Sequence, residues 1–208
     1  MNHFSRIAIA ALTFGGSISV ASAAGVITNI TASGAGLGSF NYAIDDANRV
    51  LDLTKVFDSV DPIVLTFTVE HGTGPGNPYT VKETVTNDTT QLWSDFHYTI
   101  GEPDQGNGVV FTQHNNSVLF GFSLDPSSGP RNLDFSGSLA SGDPAVTAGF
   151  MLSPFDPGRG NTMTFTITQV PTIGQVPPVP EPETYAMLLA GLGLMGVMAR
   201  RRSDKQNA

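Results

Sequence analysis

Through most of its middle, this 208-residue chain alternates apolar and polar side chains, and that period of two is its strongest constraint on the fold. Neighbouring side chains of a β-strand point to opposite faces, so the alternation predicts strands with one buried face. Turn-forming Gly, Pro, Asn and Asp residues separate the alternating segments. We expect strands over residues 63–69, 79–86, 92–100, 109–112, 118–124, 133–139, 146–152 and 163–167. Short strands with turns between them predict an all-β fold, an antiparallel β-sandwich or jelly roll.

Two segments before the first clear strand have weaker patterns. Residues 24–40 combine a few apolar positions with many Gly, Ser and Ala residues, which favours a first strand followed by a loose glycine-rich loop. Residues 41–55 fit both a helical spacing that begins at Ile44 and a strand spacing that ends at Lys55. Both interpretations of residues 41–55 stay open on the sequence alone.

The alternation also assigns side chains to strand faces. Within residues 92–100, one face carries Leu92, Phe96, Tyr98 and Ile100, and the other carries Trp93, Asp95 and His97. Within residues 118–124, one face carries Val118, Phe120, Phe122 and Leu124. Glu83 falls on the buried face of its strand, between Val81 and Val85. Because an unpaired buried carboxylate is costly, Glu83 needs a partner or an edge position.

The first 23 residues predict a secretory signal peptide. Arg6 supplies a positive charge, and residues 7–20 are mostly apolar. Ala21 and Ala23 form a small-x-small site that places cleavage before Ala24. This apolar run is too short for an ordinary membrane anchor. We therefore expect a signal-peptide helix and export by the Sec pathway.

The C-terminal end has three parts in a fixed order. The motif Val179, Pro180, Glu181 and Pro182 is followed by an uncharged run over residues 185–199 and by Arg200, Arg201 and Arg202. As a helix, the uncharged run would span about 22 Å at roughly 1.5 Å per residue, short of the roughly 30 Å of a bilayer core. Snorkelling arginines can bridge part of that difference, and they favour the cytoplasmic side. We expect a C-terminal hydrophobic helix that crosses the membrane.

The two ends divide the chain into five segments. We expect a signal peptide at residues 1–23, a β-sandwich domain at 24–170, a linker at 171–179, a sorting segment with a short transmembrane helix at 180–202 and a cytoplasmic tail at 203–208. The linker is rich in proline, which predicts a stiff and extended spacer.

The tail resembles the PEP-CTERM sorting signal, through Val179-Pro180-Glu181-Pro182, the glycine-rich apolar run and Arg200 to Arg202. The resemblance implies that an exosortase, a membrane cysteine transpeptidase, recognises the Pro-Glu-Pro motif and removes the tail. It also implies a transient stay in the inner membrane of bacteria that make exopolysaccharide and biofilm. Residues 83–101 are similar to segments of other exported PEP-CTERM proteins, with no activity to carry over. An ordinary short membrane anchor is the alternative interpretation of the tail.

The charge and the missing cysteines of the chain exclude several partners and chemistries. Residues 24–179 carry five basic and fifteen acidic side chains, a net charge of −10. This acidity disfavours nucleic acid and anionic membrane surfaces as ligands. The chain contains no cysteine, which excludes disulfides, thiol nucleophiles and zinc–thiolate sites.

Two groups of residues have the chemistry of binding sites. Trp93, Asp95 and His97 on an exposed strand face could stack a sugar ring and bind its hydroxyl groups. The alternative is that Trp93 packs against a second sheet and His97 is satisfied locally. The carboxylates of Asp45, Asp46, Asp52, Asp58 and Asp61 are close in sequence and suit Ca²⁺, but they lack EF-hand spacing. Solvated loop carboxylates are the alternative, so we expect no metal site.

Catalytic patterns are missing from the sequence. It has no Gly-x-Ser-x-Gly elbow and no glycine-rich phosphate loop before a helix, and carboxylate pairs are expected by chance among so many acidic residues. We expect a non-enzymatic exported protein of the cell envelope or extracellular matrix, without a cofactor. Its precursor would be anchored in the membrane and its product would reach the cell surface or the medium. The alternatives are a carbohydrate-binding module for exopolysaccharide and, third, a secreted hydrolase.

Overall fold

The computed structural model describes residues 25–74, 76–101 and 108–174, together with the isolated residues Met187 and Met195. The chain divides into two compact units, Met1–Ile173 and Gly174–Ala208. Within the described ranges the first unit is built from β-strands and one short 3-10 turn, His114–Asn116. The helices that we predicted at the two ends of the chain lie outside these ranges.

Twelve strands make up the described part of the first unit. They are β1 Val26–Ser33, β2 Leu37–Asp45, β3 Val50–Phe57, β4 Ile63–Glu70, β5 Tyr79–Asn87, β6 Trp93–Ile100, β7 Val110–Thr112, β8 Val118–Leu119, β9 Phe122–Leu124, β10 Asn132–Leu139, β11 Val146–Ser153 and β12 Thr162–Ile173. The predicted all-β class is therefore confirmed for the body of the chain.

The strands form two six-stranded sheets. The first sheet has the order β1-β4-β12-β6-β10-β9, and the second has the order β2-β3-β5-β11-β7, with β8 paired to β11. Neighbouring strands run antiparallel except β3 and β5, which are parallel. The expectation of a purely antiparallel fold is wrong for this pair. After β3 the chain crosses to the first sheet, forms β4 there, and returns to the second sheet to form β5 beside β3.

One apolar core lies between the two sheets. Phe57 of the second sheet meets Trp93 and Phe96 of the first sheet, with ring centroids 5.2 and 5.6 Å apart. Tyr98 of the first sheet meets Phe150 of the second sheet at 5.3 Å. Buried residues from both sheets belong to a single cluster, so the body is a β-sandwich.

The clearest alternating segments fold as predicted. The apolar residues that we assigned to one face are buried in β4, β5, β10, β11 and β12: Ile63, Leu65, Phe67, Val69, Val81, Val85, Leu133, Phe135, Leu139, Val146, Ala148, Phe150, Leu152, Met163, Phe165 and Ile167. Their period of two matches the pleat of a strand with one face on the core.

Strands occupy both early segments whose pattern was weak. The expected glycine-rich loop is short, because β2 already begins at Leu37. For residues 41–55 the strand interpretation is correct: Leu51, Leu53, Lys55 and Phe57 of β3 are all buried. The Ile44 side chain of β2 is partly buried against the core, as the last inward position of an edge strand.

The faces predicted for β6 are wrong at its start. Between the pairs Asp95–Thr172 and Trp93–Ile173, β6 contains one extra residue, Ser94. A bulge residue reverses the alternation. Trp93 therefore points into the core with Phe96, and Leu92 is 51% exposed.

The segment 118–124 is two short strands and not one. β8 pairs with β11 of the second sheet and β9 pairs with β10 of the first, so the chain crosses between sheets at Gly121, where φ is +84°. The predicted face is reversed before this crossing. Leu119 is buried, whereas Val118 and Phe120 are 60% and 78% exposed.

The last strand is longer than predicted. β12 continues to Ile173, so residues 171–173 belong to the sheet and not to the proposed linker. Pro171 is buried opposite Phe96. The sequence suggested a linker here because proline is rare inside strands.

Candidate functional site

The three residues proposed to bind a sugar do not share an exposed face. Trp93 is fully buried, with its ring 5.6 Å from that of Phe96, so it offers no surface to a ligand. His97 lies on the outer face of β6, and its Nδ1 is 2.8 Å from Asp134. Asp95 is half-buried beside Ser94, whose hydroxyl donates to it over 3.4 Å. The alternative interpretation is therefore correct: Trp93 packs against Phe57 of the second sheet, and His97 is satisfied locally by Asp134.

The acidic residues proposed for calcium lie at different places on the sandwich. Asp45 and Asp46 precede β3, whereas Asp58 and Asp61 follow it, and the eight residues of β3 span about 25 Å at roughly 3.3 Å each. Asp52 is exposed in the middle of β3. Among the residues that the structure describes, no three His, Asp or Glu side chains are close enough to hold a metal ion.

A polar cluster is buried between the sheets. The Lys55 Nζ on β3 donates to the Glu83 Oε1 on β5 over 2.6 Å, and both side chains are completely buried. Two groups from the first sheet also donate to the Glu83 carboxylate. They are the Tyr98 hydroxyl on β6, at 2.8 Å, and the Gln169 Nε2 on β12, at 3.1 Å.

Burial shifts the pKa values of two members of this cluster, Lys55 and Tyr98. Desolvation lowers the pKa of the Lys55 amine to about 8, against the opposing attraction of the Glu83 charge. Desolvation also raises the pKa of Tyr98 well above its usual value, and the charge of Glu83 and its hydrogen bond add to that effect. The Lys55 proton is therefore held much less tightly than that of a solvated lysine.

The sequence identified only part of this cluster. The strand pattern placed Glu83 and one interpretation of Lys55 on buried faces, which was a signal for a buried pair. The alternation places Tyr98 only on an apolar face and predicts nothing for Gln169. A polar residue at an inward position of a strand, as Gln169 is in β12, was the signal that could have identified it.

Arg49 organises one end of the sandwich, at the turn between β2 and β3. Its backbone is left-handed, with φ of 55°, and its guanidinium donates to the carbonyls of Gly25 and Asn77 and to Asp46. The guanidinium carbon lies 3.8 Å from the centre of the Tyr79 ring. The Tyr79 hydroxyl donates to Asp46, and burial, then this bond, raises the pKa of Tyr79 to about 12. These contacts join three segments of the chain.

A polar cleft opens beside this network. It has a volume of about 370 Å³, and its walls include Arg49, His71, Thr73 and Asn77. The His71 Nδ1 lies 3.0 Å from the carboxylate of Asp156, a contact that fixes the orientation of the ring. This volume is at the lower end of the range of small-molecule sites.

A more apolar groove lies beside β5, β8 and β11. It has a volume of about 260 Å³, and its walls include Ser117, Val118 and Met151. The Ser117 hydroxyl is buried there and has no hydrogen-bond partner within the described ranges. The polar side chains of Lys82, Gln113 and Asn116 also line the groove, so its walls are only partly apolar.

The residues predicted for export and sorting are outside the described part of the chain. They are Ala21, Ala23, Ala24, Val179, Pro180, Glu181, Pro182, Arg200, Arg201 and Arg202. In the part that is described, no helix has the length and apolar character needed to cross a membrane. The predicted transmembrane helix at residues 180–202 lies almost wholly beyond that part.

Comparison with known proteins identifies only the end of the chain. No curated protein and no solved structure matches it. A family model, that of the PEP-CTERM protein-sorting motif, matches residues 178–202. The match includes the Pro-Glu-Pro of residues 180–182, the apolar run and the three arginines, as the sequence predicted. The chain therefore carries a PEP-CTERM protein-sorting motif at its C-terminal end.

Proposed function

We propose that this protein is a non-enzymatic structural component of the cell envelope or extracellular matrix, processed at its tail by an exosortase-like membrane transpeptidase. The observation that carries the proposal is the sorting motif at residues 178–202. This motif implies an exported protein that is sorted at the membrane. It begins shortly after the last strand of the sandwich, which ends at Ile173.

The predicted signals suggest a sequence of events. The signal peptide directs the chain through the Sec pathway, and the apolar tail holds the precursor in the inner membrane. The transpeptidase then recognises Pro180, Glu181 and Pro182 and removes the tail. The sandwich reaches the cell surface or the surrounding exopolysaccharide.

The character of the body supports a structural role. Its core is continuous across both sheets and contains no cysteine, so its stability does not depend on the redox state of the compartment. The net charge of −10 over residues 24–179 favours solubility and opposes adsorption to anionic surfaces.

Two glutamates near the tail provide a matched test. The full chain, with Glu181→Ala or Glu183→Ala, is expressed in a host with an exosortase and in the same host without it. We expect mass spectrometry to find a new C-terminus near residues 180–184 for the unsubstituted chain and for Glu183→Ala. Glu181→Ala, which alters the Pro-Glu-Pro motif, should keep the full tail. A released product that retains residues 185–199 in the exosortase host would contradict the proposal.

Binding of exopolysaccharide is the second candidate function, and the polar cleft beside His71 is the observation that favours it. Since Trp93 is buried, a sugar would be held by hydrogen bonds and not by ring stacking. A polysaccharide pull-down should then retain the full chain and its His97→Ala variant and lose His71→Ala. Equal retention of the two histidine variants would exclude the cleft as the binding site.

A further inference from the structure

The buried cluster brings a nucleophile, an acid–base group and an amide together. The amine of Lys55 and the amide of Gln169 approach the same atom, Glu83 Oε1, at 2.6 and 3.1 Å. All three side chains are completely buried. Lys55 and Glu83 belong to the second sheet, whereas Gln169 belongs to the first. The cluster therefore connects the two sheets at a position that is shielded from solvent.

The hydrogen bonds of this cluster are incomplete for an ordinary ion pair. An ammonium has three donors, but among the described residues Lys55 donates only to Glu83. Its other neighbours include the rings of Phe57, Phe96 and Tyr98, whose centres are 5.5–5.7 Å from Nζ. The Gln169 Oε1 is buried with no hydrogen-bond partner in the described part of the chain. Within the described ranges, two of the three donors of the Lys55 ammonium therefore lack a partner in a solvent-shielded site, which lowers the cost of giving up its proton.

We propose that Lys55 and Gln169 join in an intramolecular isopeptide bond, with Glu83 as the group that moves the proton. This modification is distinct from the processing of the tail, and it does not depend on it.

The bond forms by transamidation. Glu83 takes a proton from the Lys55 ammonium, which leaves a neutral amine and a carboxylic acid. The amine lone pair attacks Gln169 Cδ, and the carbonyl π electrons move to Oε1. Glu83 then transfers its proton to the amide nitrogen. The electrons on Oε1 re-form the C=O bond, and the C–N bond breaks with its electron pair on the leaving nitrogen, which departs as ammonia. The ammonia takes the extra proton from the attacking nitrogen. Lysine ammonium and glutamine amide thus become one secondary amide and an ammonium ion, with no oxidant or reductant.

The site has the properties that this step requires. Burial lowers the pKa of Lys55 to about 8, so the nucleophilic amine is available near neutral pH. Holding the reactants together in one orientation replaces the entropic cost of a bimolecular encounter. The Gln169 Nε2, the nitrogen that leaves, lies 3.1 Å from Glu83 Oε1, within reach of the proton that Glu83 transfers. Exclusion of water also protects the product from hydrolysis.

The bond would cross-link the two sheets in a chain without cysteine. It joins β3 to β12, the strand that is followed by the sorting segment. A covalent link of this kind restricts the unfolded chain in the same way as a disulfide, but it is insensitive to reductants.

Mass spectrometry of the purified full chain tests the proposal directly. We expect an intact mass lower by one ammonia molecule than the mass calculated for the observed termini. After denaturation and trypsin, residues 50–82 should remain uncut after Lys55 and should be joined to the peptide that begins at residue 160. Separate peptides with a cut after Lys55, and no loss of mass, would overturn the proposal. A loss of one water with Lys55 joined to Glu83 would also overturn it, since the acceptor would be different.

Two variants test whether the cross-link needs the proton transfer by Glu83 and not merely the neighbouring charge of Lys82. Glu83→Gln should give no cross-linked peptide, because it removes the proton carrier. Lys82→Met, which removes the exposed neighbouring lysine, should keep the full cross-link. Because the unsubstituted protein alone decides whether the bond exists, a variant that fails to fold leaves the test valid. A cross-link of full yield in a folded Glu83→Gln protein would exclude the role assigned to Glu83.

Discussion

A single residue, Ser94, determines to which face of the sheet the Trp93 side chain points. As the extra residue of β6, Ser94 moves the indole from the outer face into the core, where it contacts Phe57 and Phe96. The exposed position that regular alternation would have left to Trp93 is thereby lost. His97, three residues after Ser94, keeps its outward position and bonds Asp134. Bulges of this kind have no clear sequence signature, since a serine fits many backbone conformations.

Substitution of Trp93 tests this placement. Trp93→Ala leaves a large cavity in the core and should lower the free energy of unfolding by about 3–5 kcal/mol. The control is His97→Ala on the same strand, which removes a partly exposed hydrogen bond to Asp134 and should cost about 0.5–1 kcal/mol. Urea denaturation followed by circular dichroism measures both. A folded Trp93→Ala protein with unchanged stability would mean that the indole is not in the core.

At the scale of elements, the connection between β1 and β2 is fixed by the loop that follows β3. The Asp58 N–H donates to the Gly36 carbonyl over 3.2 Å. A Cβ added at Gly36 would lie 2.0 Å from the carbonyl oxygen of Asp61. The close approach of these two loops explains why β2 begins at once where the sequence suggested a loose loop.

An alanine at Gly36 should therefore disturb both loops. Because the obstructing atom belongs to the backbone, Gly36→Ala should destabilise the protein by about 1–3 kcal/mol. Gly74→Ala is the matched control, since a Cβ there meets nothing within 4 Å. That change should alter the stability by no more than about 0.5 kcal/mol. Thermal denaturation compares the two variants, and equal melting temperatures would argue against the tight approach at Gly36.

At the scale of the whole molecule, β12 completes the sandwich. It is the last strand of the described ranges and lies inside the first sheet, between β4 and β6. Its final residues pair with the start of β6, so Ile173 lies opposite Trp93. The folded unit therefore requires residues beyond position 170, where the sequence had placed the start of the linker.

Truncation tests this boundary. A chain that ends at Gly174 should unfold at the same urea concentration as the full chain, because it keeps every residue of β12. A chain that ends at Gln169 loses the buried Pro171 and the pairing with Trp93, and should be less stable by more than about 2 kcal/mol. Equal stability of the two truncated proteins would show that β12 contributes little beyond Gln169.

The all-β class, most of the core and the sorting motif could be predicted from the sequence, because each is encoded in neighbouring residues. Periods of two identify strand faces, and the Pro-Glu-Pro motif, apolar run and arginines are contiguous. The folded sheets were needed to choose between the two interpretations of Trp93, to show that β3 and β5 are parallel, and to bring Tyr98 and Gln169 to Glu83. These features depend on how the strands are registered and how two sheets face each other. Strand register and the facing of the sheets depend on contacts between residues distant in sequence, and a local sequence pattern does not encode those contacts.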